Sequence, residues 1–84
     1  MTQKCILVIE DNTDNRLLVR TILRTKYAVI EYSDGQVALE HLMGHAPDLV
    51  LLDIALPGID GCEVLRVIRE EMHLTSLPVI ALTA

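Results

Sequence analysis

The sequence predicts an α/β domain built on a doubly wound parallel sheet. Three observations carry that expectation. Short apolar runs recur four times, at Cys5–Ile9, 27–32, 48–53 and Val79–Leu82. Each has the length and near-continuous hydrophobicity of a strand buried on both faces. The segments between them place apolar residues at helical spacing. The resulting order, β-α-β-α-β-α-β, calls for right-handed crossovers and parallel pairing. At 84 residues the chain is a single domain, 1–84.

The first run, Cys5-Ile6-Leu7-Val8-Ile9, stops at the polar Glu10-Asp11-Asn12. Asn12 or Thr13 can cap the helix that follows, and Asp14 suits its first turn. Leu18 and Ile22 mark that helix's apolar face, flanked by Leu17, Leu23 and the polar Arg16, Arg20 and Arg24. Ser33-Asp34-Gly35 breaks the second strand. A second helix, about 36–43, turns Ala38 and Leu42 to the core and ends before Pro47, which cannot continue it. The third strand ends in Asp53, and a loop over 54–60, punctuated by Pro57-Gly58, leads to Asp60. Asp60 reads as the N-cap of a third helix with Leu65, Ile68 and Met72 as its core stripe and His73 near its negative dipole end. Ser76-Leu77-Pro78 then introduces the fourth strand.

Composition excludes several functions. A hydrophobic content of 51% supports a packed core and rules out disorder. The net charge of −5 argues against nucleic acid as partner. With two Tyr and neither Phe nor Trp, there is no platform on which single-stranded bases could stack. No segment approaches the roughly 18 apolar residues of a membrane span, so no membrane association is expected. The apolar run after Cys5 is too short for a signal peptide, and the expected location is the cytoplasm. Cys5 and Cys62 lack metal-ligand spacing and read as reduced thiols. His41 and His45 lie one helical turn apart without a third ligand and read as surface residues. Gly35, Gly58 and Gly61 form no nucleotide-binding pattern.

The placement of the acids is more informative than their number. Glu10 and Asp11 follow the first strand, and Asp53 ends the third. In a parallel sheet all carboxyl ends lie along one edge, and ligands bind there where the strand order reverses. If the first strand lies between the second and the third, the three acids share one crevice. Clustered carboxylates repel, and a divalent cation removes that cost. An all-oxygen site with few protein ligands suits Mg²⁺. The plainer alternative is that these acids are helix caps and solvated strand ends.

Three segments together carry a family likeness: Glu10-Asp11-Asn12, then Asp53-Ile54-Ala55-Leu56-Pro57-Gly58-Ile59-Asp60-Gly61, then Pro78-Val79-Ile80-Ala81-Leu82-Thr83-Ala84. In this order and spacing they resemble the receiver domain of two-component response regulators. The wording is close to single-domain receivers of the cell-division-regulator type and to receivers of hybrid histidine kinases. The resemblance runs from Lys4 to Ala84. It implies a flavodoxin-like sheet of order 2-1-3-4, lacking the last strand and two helices of a full receiver. It further implies that Asp53 is the phosphoacceptor. Asp11 and Asp53 would bind Mg²⁺ directly, Glu10 through a water, and the Ala55 carbonyl would be another ligand. Thr83 matches the switch hydroxyl, and the Ala84 N–H would hold a phosphoryl oxygen. The family's phosphoryl-pairing lysine has no counterpart, since Lys4 and Lys26 are the only lysines and neither matches its position.

The implied function is phosphoryl acceptance on Asp53 in a two-component phosphorelay, dependent on Mg²⁺. The implied donor is a histidine kinase or a histidine phosphotransfer protein, and self-association would cover the open fourth strand. Such a module is not an enzyme beyond its own phosphorylation and dephosphorylation. One competing reading is a receiver-like interaction module that works without phosphorylation, or a fragment unable to signal. Another is a Mg²⁺-dependent phosphatase with Asp53 as nucleophile. Haloacid-dehalogenase-type enzymes carry a second acid two residues after the first, and Ala55 occupies that position here.

Overall fold

The computed structural model describes residues 3–56 and 58–82. Its four strands are β1 (Cys5–Ile9), β2 (Ala28–Tyr32), β3 (Leu49–Asp53) and β4 (Val79–Leu82). They form one parallel sheet in the order β2-β1-β3-β4. The flavodoxin-like order expected from the resemblance is therefore the observed one. The strand order reverses between β1 and β3, both central, with β2 and β4 at the edges.

Three helices connect the strands: α1 (Thr13–Leu23), α2 (Gly35–His45) and α3 (Gly61–Arg66), the last continuing into a π-helical turn, Val67–Glu71. Each α-helix begins with a side-chain cap. Asn12 accepts from the Asn15 N–H at 2.9 Å, Asp34 from Val37 at 3.0 Å and Asp60 from Glu63 at 2.9 Å. A cap of this kind stabilises its helix by about 1 kcal/mol. The second helix runs longer than the predicted 36–43. It ends at His45 because Ala46 turns into the left-handed region, at φ 45°, before Pro47.

Strand alternation divides the apolar residues between two faces. On one face Leu7, Ile9, Val50 and Leu52 meet Ala38 and Leu42 of α2, Val64 of α3, and Ile68, forming the main core. The register row Glu31–Val8–Leu51–Ile80 crosses the other face from β2 to β4. Arg16 and Arg20 of α1 reach Glu31 at the β2 end of this row. At its β4 end Ile80 is 49% exposed.

The apolar face of α1 stays exposed, and one predicted core stripe differs from the structure. Leu18 and Ile22 are 60% and 63% exposed, and α1 buries none of its residues. The helix sits toward the β2 side, and no described element covers the side on which Leu18 and Ile22 project. In the third helix Val64 and Ile68 are fully buried while Leu65 is 38% exposed. Ile68 lies in the π-helical turn that follows α3, and the buried stripe runs through Val64 while Leu65 falls off it. Among the described residues no helix is long and apolar enough to cross a membrane.

Candidate metal centre

Two strand ends create the site. β1 delivers Glu10 and Asp11 at its carboxyl end, and β3 delivers Asp53 beside them because the two strands are paired neighbours. One carboxylate oxygen from each of Glu10, Asp11 and Asp53 lies within 4.8 Å of the others. Glu10 and Asp53 are buried, at 5% and 8% exposure, while Asp11 is exposed. The acids expected to share one crevice are thus brought together.

The neighbouring backbone holds these carboxylates in place. The Ala55 N–H donates to Asp53 Oδ1 at 3.0 Å, and the Asn12 N–H donates to Glu10 Oε1 at 3.1 Å. The Glu10 N–H donates to the Tyr32 carbonyl at 3.0 Å, which ties the start of the acidic turn to β2. Gly61 fixes the other side. A Cβ there would lie 2.6 Å from Ile54 Cα and 2.7 Å from the Asp53 carbonyl, both backbone atoms. Only glycine lets α3 begin this close to the phosphoacceptor candidate, and the Gly61 N–H donates to the Ile54 carbonyl at 3.0 Å.

The electrostatics of the cluster are unfavourable without a cation. At 4.8 Å two carboxylates repel by about 3 kcal/mol at an effective dielectric near 20. Among the described residues none of the three makes an ion pair. Burial pushes the Glu10 carboxyl above its ordinary range; the Asn12 N–H opposes this, and the Asp53 and Asp11 carboxylates add to it. Glu10 and Asp53 border a cleft of about 320 Å³, lined also by Asn15, Leu18, Val19, Ala55 and Leu82. A compact set of hard oxygen donors without ion-pair partners among the described residues, at the edge of a cleft, fits a divalent cation of the Mg²⁺ type.

The other expected site residues divide as follows. Ala55 lines the cleft. Thr83 and Ala84 lie outside the described residues, as does Pro57 of the intervening loop. Lys4 and Lys26 precede β1 and β2 and so belong to the opposite edge of the sheet. Arg16 was not singled out by sequence, yet its Nη1 donates to the carbonyls of Glu10 and Asp11 at 2.9 and 3.1 Å. Its position four residues after the Asn12 cap, in the second turn of α1, is the only signal the sequence offered.

Comparison with known proteins agrees with this geometry. Residues 6–84 match the family model described as the response regulator receiver domain. The chain is 38% identical over 82 residues to the polar-differentiation response regulator DivK of Brucella anthropi, covering 96% of this chain and 67% of that protein. DivK of Brucella melitensis matches to the same extent. Among solved structures, the phosphorylated cyanobacterial phytochrome response regulator RcpA superposes with a TM-score of 0.87 at 34% identity, covering 98% of this chain and 66% of that one. The Mn²⁺-bound form of response regulator Rcp1 superposes with a TM-score of 0.84 at 36% identity, over 95% and 65% of the two chains. The chain therefore spans about two thirds of the length of these relatives.

Proposed function

Because the chain belongs to the response regulator receiver domain family, we propose that Asp53 accepts a phosphoryl group, with Mg²⁺ held by Glu10, Asp11, Asp53 and the Ala55 carbonyl. One observation carries this reading: three carboxylates from two adjacent strand ends converge beside a cleft, and among the described residues none of them makes an ion pair. Its similarity to RcpA, solved in a phosphorylated form, and to Rcp1, solved with Mn²⁺, supports it.

The chain's own residues would act as follows. The Ala55 N–H orients the Asp53 carboxylate. An oxygen of that carboxylate forms the new O–P bond while the N–P bond of a phosphohistidine donor breaks. The electron pair leaves on the imidazole nitrogen, which takes a proton from solvent. When bound, the cation neutralises the clustered carboxylates and the incoming phosphoryl oxygens. The product is an acyl phosphate carrying roughly two negative charges. By resemblance to the family, the Thr83 hydroxyl and the Ala84 N–H are assigned to the phosphoryl oxygens. A contact made only with the phosphorylated form biases a two-state segment. The donor is a histidine kinase or a histidine phosphotransfer protein in the cytoplasm, and the protein is a signalling module.

Acetyl phosphate provides the test, because it supplies the phosphoryl group without a partner protein. Intact-mass measurement should show a single phosphoryl adduct with Mg²⁺, none in EDTA and none in Asp53→Asn. An adduct of equal yield in Asp53→Asn would refute the assignment of Asp53.

A further inference from the structure

The Glu10–Asp11 turn carries two of the three clustered carboxylates, and the side chain of Arg16 holds it from outside the cleft. Arg16 Nη1 donates to the Glu10 carbonyl at 2.9 Å and to the Asp11 carbonyl at 3.1 Å. The Nε of the same guanidinium lies 3.7 Å from Glu31 Oε1, and Arg20 Nη1 lies 3.1 Å from Glu31 Oε2. Arg16 and Glu31 are half-buried, with side chains 21% and 19% exposed. Glu31 belongs to β2 and shares the register row of Val8, so it is a fixed point of the sheet. The chain of contacts runs from the sheet, through Glu31 and Arg16, to the backbone of both acids.

We propose that Arg16, anchored on Glu31, is a positioning residue for the divalent-cation site, setting the backbone from which Glu10 and Asp11 face Asp53. The inference rests on the reading of these three acids as a cation site. It assigns Arg16 no contact with the cation or the phosphoryl group.

Charge and geometry make opposite predictions here. A guanidinium near a cation site repels the cation, so charge alone predicts tighter binding when Arg16 is removed. Glu31 offsets that charge, which leaves the two carbonyl hydrogen bonds as the main effect. Removing them frees the turn and weakens binding. Lysine separates the two effects. It keeps the positive charge, but its compact ammonium cannot reproduce the fork that meets two carbonyls through one nitrogen and a carboxylate through another. Loss of a group that orients a metal ligand typically weakens metal affinity 10–100-fold.

Mn²⁺ binding to the protein, followed by water-proton relaxation, tests this alongside thermal melting. Arg16→Met and Arg16→Lys should both bind Mn²⁺ at least about tenfold more weakly than the unsubstituted protein. Glu31→Gln should weaken it in the same direction and by less. Arg66→Met removes contacts to Glu63, Glu70 and Glu71, none of which lines the cleft. It should leave Mn²⁺ affinity unchanged whatever it does to the melting temperature, which separates positioning from general destabilisation. If Arg16→Met does not fold, Arg16→Lys and Glu31→Gln decide the matter. Wild-type affinity in Arg16→Lys, or tighter binding in Arg16→Met, overturns the inference and leaves the cation site standing. No Mn²⁺ binding by the unsubstituted protein overturns the cation site, and the inference with it.

Discussion

Glu10 shows the tension between stability and function at a single side chain. Its carboxyl is buried beside two other acids, so folding raises its pKa above the ordinary 4.5. A raised carboxyl pKa means that the folded chain holds a proton the unfolded chain has already released. The stability associated with that proton is complete at low pH and is lost as pH rises from about 4.5 through the folded-state value. In EDTA, therefore, the melting temperature should fall across this window, and Glu10→Gln should flatten the fall and melt higher at pH 7. The same substitution should weaken Mn²⁺ binding. A steeper fall in Glu10→Gln would contradict the account. The three acids were readable from sequence because each directly follows or ends an apolar strand. Arg16 was not, because its role depends on where the turn's carbonyls point, which no spacing rule reports.

Strands were easier to read than helix faces. A strand buried on both sides needs only a continuous apolar run, and all four runs became strands, with β2 and β3 each starting one residue later than expected. A helix face depends on what packs against it. α1 lies toward β2, so its most apolar side, with Leu18 and Ile22, is left exposed. The third helix passes into a π-helical turn, and its buried stripe runs through Val64 rather than Leu65. The end of α2 hides a second detail, since Ala46 adopts φ 45°, a conformation that costs a residue with a Cβ roughly 1–2 kcal/mol. Glycine carries no such penalty, although its greater freedom when unfolded takes back about 0.5–1 kcal/mol. Ala46→Gly should therefore stabilise the fold by about 0.5–1 kcal/mol, seen as a rise in melting temperature of roughly 2–8 °C. A lower melting temperature would mean that the left-handed conformation costs Ala46 less than the freedom glycine loses on folding.

Taken whole, the molecule is a sheet whose strand order builds the acidic cluster. Placing β1 beside β3 brings Glu10, Asp11 and Asp53 to one edge, at the point where the strand order reverses. The order itself came from resemblance, since periodicity alone left the placement of the first strand open. Gly61 packs against the backbone of Asp53 and Ile54, and Arg16 hydrogen-bonds the carbonyls of Glu10 and Asp11. If that arrangement serves phosphoryl transfer, the modification must fall on one residue. Borohydride reduces an acyl phosphate to an alcohol, turning a phosphorylated aspartate into homoserine. The protein treated with acetyl phosphate and Mg²⁺, reduced and mapped by peptide mass should carry homoserine at position 53 and nowhere else. Homoserine at another aspartate, or none in a sample that carries the phosphoryl adduct, would contradict Asp53 as the acceptor.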